Sequence, residues 1–317
     1  MRERLSSVNG LTDIHAHCGG MDLSNFFRYK YPYCQDIRDL ESKRVNGGVD
    51  YVAVFPMPTT AYYDIPTYWR NGSFIASGYC DYPFELENLH LCQEIEHFRL
   101  YRLLPFLSFS LNAKIEKQIQ SIRNLASQYP IYGLKYHTKV DQNNPTSLLT
   151  TGKPFLQLAQ DLNIPLMIHC SIEPHFCGSN VISLAKQYPH VRFCCAHFGG
   201  LNESFCKELS VLSEENLFFD TAPLTALCRQ MMKSPLRHLA EKADYSNPIS
   251  VMKLFYEMFP TRILWGTDAP WYEACDLRSS TRNELIHYES ESFTPNKLGL
   301  CEQLEINTNR FLFGKGV

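Results

Sequence analysis

The stretch Gly10-Leu11-Thr12-Asp13-Ile14-His15-Ala16-His17 carries an apolar run into two histidines one residue apart. In an extended strand successive side chains alternate faces, so His15 and His17 should point the same way, with Ile14 and Ala16 turned to the other side. Two imidazoles on one side of a strand end make half of a tetrahedral metal site. With 11 histidines in 317 residues, composition alone gives about 0.4 such pairs, so the motif needs partners elsewhere in the chain.

Working outward, short runs rich in Val, Ile, Leu and Phe recur at 10–15, 49–55, 103–109, 131–136, 165–169, 191–196, 217–220 and 262–267. Between them lie stretches with apolar residues three and four apart, among them 85–98, 113–128, 155–162, 181–187 and 248–258, which predict helices. Alternation of this kind is the signature of a parallel sheet built from β and α units. Eight strands with eight crossovers close a (β/α)8 TIM-type barrel. An open doubly wound sheet competes, but it usually has fewer strands, and the chain lacks a GxGxxG turn. No repeat, low-complexity tract or linker divides residues 1–317, so one domain is expected, closed by a C-terminal helix that ends at Gly314.

Two connections are much longer than usual, 56–83 after the second strand and 269–297 after the eighth. Both follow strand C-termini, where barrel active sites are built. The first is crowded with aromatics (Tyr62, Tyr63, Tyr68, Trp69, Phe74, Tyr79, Tyr82). It suggests a substrate-pocket wall or lid, with Trp69 a candidate contact, or equally packing against the barrel rim or a subunit interface, as in a homo-oligomer.

Composition narrows the function classes. A chain of 317 residues that is 44% hydrophobic can bury a large core. Its net charge of −3, with both signs interspersed, gives no basic stripe for nucleic acid and no cationic amphipathic helix for a membrane surface. No run of 18 apolar residues occurs, and residues 1–10 lack the apolar core of a signal peptide, so a cytoplasmic protein with a small-molecule partner is expected. Twelve cysteines include no CxxC pair, and Cys170, Cys194 and Cys195 sit within apolar runs, as buried small hydrophobes do in a reducing compartment.

Polar residues of ligand type fall at the same end of five predicted strands. They are His15 and His17 on the first, Lys135 and His137 on the fourth, His169 on the fifth, His197 on the sixth and Asp268 on the eighth. Each alone is more easily a hydrogen-bonded core residue; together they point to one rim. The segments Asp13–His17, Gly133-Leu134-Lys135, Ile168-His169, Ala196-His197-Phe198-Gly199-Gly200, Leu264-Trp265-Gly266-Thr267-Asp268 and Asn309–Gly314, taken in order, resemble the amidohydrolase superfamily of metal-dependent barrel enzymes. The closest likeness is to its amidohydrolase 2 branch, which includes hydrolases and some metal-dependent decarboxylases, and it spans nearly the whole chain.

The resemblance implies that His15, His17, His169 and Asp268 bind a catalytic divalent metal, and that His197 binds a second ion or orients the attacking water. Neutral imidazoles and a carboxylate suit zinc and neighbouring transition metals, with a position left open for water. Asp268 can then accept the water's proton and pass it to the leaving group. Lys135 is the departure: a free ammonium cannot be a ligand. It joins the metal set only if carboxylated, which would make two ions possible; otherwise it holds a substrate carboxylate or oxyanion, and a single ion is favoured.

Lesser candidates carry two readings each. His137 shares the Lys135 face and contacts substrate or makes a structural hydrogen bond. Asp220, at the end of the seventh strand, binds substrate or caps the following segment. Asp13 supports a ligand histidine from one pleat deeper, or is a buried hydrogen-bonded carboxylate. Glu173 and His175 border the mouth or lie in a solvated loop, Arg28 and Arg70 clamp an anion or lie on the surface, and Cys170 should face away from His169. The leading expectation is a hydrolase that uses a metal-activated water on a C–N or C–O bond of an amide, cyclic amide, lactone or ester. The alternatives are a decarboxylase of an unsaturated or aromatic acid, and a degenerate barrel that binds a ligand without turnover.

Overall fold

Eight parallel strands hydrogen-bond in chain order: β1 (Thr12–Cys18), β2 (Tyr51–Pro56), β3 (Leu103–Phe109), β4 (Gly133–Tyr136), β5 (Leu166–Ile168), β6 (Phe193–Cys195), β7 (Leu217–Asp220) and β8 (Ile263–Leu264). The structure, a computed structural model, describes residues 2–19, 35–57, 82–201, 203–233, 243–271 and 295–314. Among the described residues the helices of eight or more residues are α1 (Ile37–Asn46), α2 (Glu85–His97), α3 (Ile115–Ala126), α4 (Lys153–Asp161), α5 (Ser179–Gln187), α6 (Glu203–Ser210), α7 (Leu224–Lys233), α8 (Pro248–Met258) and α9 (Cys301–Phe313). Past the end of β8 the ring is drawn shut against β1. Ile14 N donates to Trp265 O at 3.0 Å, Asp268 N to His15 O at 2.7 Å and His17 N to Ala269 O at 2.6 Å. The expected (β/α)8 barrel is therefore the architecture.

Both faces of the sheet are apolar, as a sheet sandwiched between helices and its own interior requires. An outer layer packs strand residues such as Val52, Leu107, Leu134, Ile168 and Phe219 against Leu91, Ile122, Leu156, Val181 and Val251 of the helices. An inner layer fills the barrel with Ile14, Ala53, Phe55, Leu104, Phe106, Met167, Cys194, Phe218 and Leu264. This filling is a packed core rather than a pore. Helix α9 contributes Phe311 and Leu312 to that inner layer, and Phe311 meets Phe106 and Phe218 with ring centroids 6.5 and 5.6 Å apart. Gly314 ends α9 in the left-handed conformation (φ 71°), as its position in the sequence predicts.

One local expectation is overturned. Ile14 does not face away from the histidines: it lies in the inner layer, while Ala16 lies in the outer one. The reason is a break in strict alternation. Asp13 pairs with Val52 but Ala16 pairs with Val54, so Ile14 and His15 together oppose Ala53. Two residues opposite one define a β-bulge, which bends the strand and re-aims its side chains. Strand β1 also runs on to Cys18, so both histidines lie within it.

Among the described residues no helix is long and apolar enough to cross a membrane. The described cysteines are free thiols, and all except Cys301 are buried. Tyr82, the described member of the aromatic group, is buried in the outer layer and donates to Ser108 O at 3.0 Å, so it packs behind β3. Trp69, Tyr62, Tyr63, Tyr68, Phe74, Tyr79, Arg28 and Arg70 lie outside the described residues.

Candidate metal centre

Strand β1 and the turn after β8 bring three donors to one point at the C-terminal rim. His15 Nε2 lies 3.2 Å and His17 Nε2 3.4 Å from the same carboxylate oxygen of Asp268, and all three residues are buried. Donors bound tetrahedrally to one ion at about 2.0–2.2 Å stand roughly 3.3 Å from each other, so these separations fit a shared divalent cation. Asp268 reaches this place from a left-handed backbone (φ 56°), a conformation rare for a non-glycine residue.

The other ring nitrogens have partners of their own. His15 Nδ1 lies 2.8 Å from an oxygen of Asp220, and His197 Nδ1 donates to Ala222 O at 2.6 Å. His17 Nδ1 faces Pro56 O at 3.5 Å, the long edge of a hydrogen bond. Each contact favours the proton on Nδ1 and leaves Nε2 a lone pair for the centre. Burial lowers the His17 pKa to about 4, so that ring is neutral at ordinary pH. Burial would raise the Asp268 pKa, but the neighbouring imidazoles of His15, His17 and His197 hold it well below the usual carboxylate range. For His15 burial and Lys135 lower the pKa, yet Asp220 and Asp268 outweigh them and it is raised.

His169 joins the cluster through His197, with its Nδ1 3.1 Å from His197 Nε2, and its ring stacks on His137 at 4.1 Å. The ring centroids of His15 and His197 are 5.0 Å apart. Lys135, near the C-terminal end of β4, is 2% exposed, with Nζ 3.1 Å from His15 Nε2 and 4.7 Å from the centroid of Phe55. Burial lowers its pKa, which the carboxylates of Asp220 and Asp268 only partly offset. His197 opens a run of five left-handed residues through Leu201, with φ of 60°, 53°, 62°, 86° and 54°. Three of these are not glycine, at a cost of roughly 1–2 kcal/mol each. Gly200 is required here for a second reason: a Cβ on it would lie 2.0 Å from Ser171 O.

Thus His15, His17, Lys135, His137, His169, His197, Asp220 and Asp268 assemble at one rim, while Trp69 lies outside the described residues. Several details bear on the pairs of readings that the sequence left open. The carboxylate of Asp13 accepts from His15 N, Thr267 N and Thr267 Oγ1, which pins the bulge to the turn after β8. Asp220 is wholly buried behind His15, and its acceptance from Ala222 N at 3.1 Å is the local capping contact. Glu173 pairs with Lys139 in an exposed loop that also carries His175. Phe55 was not singled out, although it lies edge-on to both His15 and His17 at 5.2 and 5.3 Å. Its position at the end of an apolar strand run was the available signal.

Known proteins resemble this chain in family and in fold. The family model described as Amidohydrolase, of the amidohydrolase-2 kind, matches residues 99–280, more than half of the chain, and the protein belongs to that family. A search of curated proteins gave no match. Among solved structures, the chain is similar to an amidohydrolase from Burkholderia multivorans (TM-score 0.61, 10% identity, 96% of this chain and 99% of that one). It is also similar to a provisional 2-pyrone-4,6-dicarboxylic acid hydrolase from Pseudomonas putida (0.59, 14%, 96% and 97%). A third is 2,6-dihydroxybenzoate decarboxylase from Rhizobium (0.56, 12%, 97% and 99%). At these identities the likenesses speak to the fold, and they include both hydrolases and decarboxylases.

Proposed function

We propose that the protein is a metal-dependent hydrolase acting on a C–N or C–O bond of a small molecule. The observation that carries this reading is the convergence of His15 Nε2, His17 Nε2 and an Asp268 oxygen at separations one divalent cation would span. These three residues would hold the ion, with His169 joining from the His197 side. Zinc suits such a donor set best. When bound, the ion acidifies water and polarises a carbonyl.

The chain's own residues do the rest. Asp268, kept ionised by its imidazole neighbours, can take a proton from water and return it to the leaving atom. His197, anchored through Nδ1 on Ala222 O, presents Nε2 beside His169 to orient that water. Lys135, a buried amine, suits a substrate that carries a carboxylate or develops an oxyanion. His137, stacked on His169, bounds the pocket on the β4 side.

A second reading shares these parts. A substrate carboxylate beside Lys135 can also leave as carbon dioxide, with Asp268 passing to the carbon a proton it has taken from water. The provisional dicarboxylic acid hydrolase and the dihydroxybenzoate decarboxylase among the similar structures support a carboxylated substrate under either reading. The test is a panel of lactones, cyclic amides and aromatic acids, followed for ring or amide opening and for released carbon dioxide. Opening without carbon dioxide is the expected result; carbon dioxide release would establish the lyase, and no turnover by the metal-loaded protein would favour a binding barrel.

A further inference from the structure

We propose that Asp220 is a positioning residue of this centre: it fixes the proton of His15 on Nδ1 and so turns Nε2 into the donor that faces the cation. The proposal rests on the reading of the rim as a divalent-metal site, and it assigns to Asp220 contact with neither ion nor substrate.

The carboxylate of Asp220 is wholly buried at the end of β7. One oxygen accepts from two backbone donors, His197 N at 2.9 Å and Ala222 N at 3.1 Å. That pair of bonds keeps the group from turning. The second oxygen is thereby presented to His15 Nδ1 at 2.8 Å, with Cys194 Sγ 3.9 Å away. An ionised carboxylate can only accept, so the ring must donate from Nδ1 and keep its lone pair on Nε2. That nitrogen is the one beside Asp268 and Lys135. The same carboxylate also holds the first residue of the left-handed run that begins at His197, so it acts on two rings of the site at once.

His15, His197 and Asp220 could also be taken as a ligand group for an ion of their own. The 2.8 Å between His15 and Asp220 argues against a tetrahedral ion there, because it is a hydrogen-bond length and shorter than the roughly 3.3 Å that two donors keep around such an ion. A carboxylate behind a ligand histidine is the common way of fixing its tautomer and orientation.

The decisive variant is Asp220→Asn. The amide oxygen must still face the two backbone N–H groups, so the NH2 faces His15 Nδ1 and forces it to accept. The ring proton then moves to Nε2, where it blocks the ligand position. In metal-free, histidine-labelled protein in alkaline buffer, 15N spectra should show His15 protonated on Nδ1 in the wild type and on Nε2 in the variant. Affinity for zinc ion alone, measured by chelator competition, should fall about 10–100-fold. An unchanged tautomer with zinc affinity within about twofold of wild type would overturn the proposal, since a merely structural carboxylate would move neither. If the variant does not fold, the wild-type spectrum decides, because His15 protonated on Nε2 contradicts the assignment. If the wild type takes up no zinc, the metal reading fails while the spectrum still judges Asp220.

Discussion

At the residue scale, the centre depends on which nitrogen of each imidazole is free. His15 Nε2 and His17 Nε2 both approach one oxygen of Asp268, at 3.2 and 3.4 Å, so removing any one of the three takes away a donor that the cation would need. His15→Ala is expected to abolish turnover and lower the bound-metal content measured by elemental analysis; full activity with full metal would contradict the assignment. Asp268→Ala should abolish turnover as well, because it removes a ligand together with the acid–base group. Much of this set was legible in the sequence, since His15, His17, His169, His197 and Asp268 all stand at ends of apolar runs. Asp220 was visible as a residue but not as a partner of His15, because 205 positions separate them and only barrel closure makes them neighbours. The orientation of Ile14 was illegible for a related reason. Alternation assumes a regular strand, and the bulge between Asp13 and Ala16 breaks it.

At the element scale, the positions of eight strands and the main helices could be read from apolar periodicity, and β3 and β7 run as expected from 103 to 109 and from 217 to 220. What periodicity does not show is how β8 meets β1. Its two-residue ladder is short, and the seam is held by backbone bonds around the Gly266-Thr267-Asp268 turn. Gly266 is needed there because a Cβ would lie 2.8 Å from His15 Cβ and 3.2 Å from Ala222 Cβ. Gly266→Ala should therefore push His15 off its position, costing about 1–3 kcal/mol of stability and at least about tenfold in metal affinity. Chemical denaturation and chelator competition measure the two effects; an unchanged zinc affinity would show that β1 has slack the packing does not suggest.

A second element-scale feature lies at the opposite end of the barrel. Arg192 donates from Nε to Phe311 O at 2.6 Å and from its terminal nitrogens to Asn163 Oδ1, Asn163 O and Leu312 O, tying the C-terminal ends of α4 and α9 together. Its charge also complements the carbonyl ends of both helices. Arg192→Met keeps much of the stem but loses these bonds, and about 2–3 kcal/mol of stability should go with them. Zinc affinity should stay as in the wild type, since the clamp is remote from the rim; loss of metal binding without loss of stability would contradict that separation.

At the scale of the whole molecule, the buried imidazoles make the metal-free protein sensitive to acid. Burial lowers His17 to about 4 and brings His137, His169 and His197 below their ordinary values. In the unfolded chain each would take up a proton near pH 6.5. As pH falls from about 6.5 towards 4 the unfolded state therefore binds protons that the folded state refuses, and stability is lost. His15, whose pKa is raised, has the opposite sign: its contribution is present below 6.5 and lost as pH rises through its folded value. Asp141, raised to about 6 by burial, also opposes the trend, but these are two groups against four. The unfolding temperature of the metal-free protein should drop across this window, and a flat or rising profile would contradict the sign.

The central claim is that residues far apart in the chain meet around one divalent cation at the C-terminal rim of the barrel. An anomalous-difference map of zinc-loaded crystals, collected above the zinc edge, tests it most directly. The expected result is a peak within about 2.3 Å of His15 Nε2, His17 Nε2 and an Asp268 oxygen. A peak elsewhere, or no peak in protein loaded at saturating zinc, would contradict it.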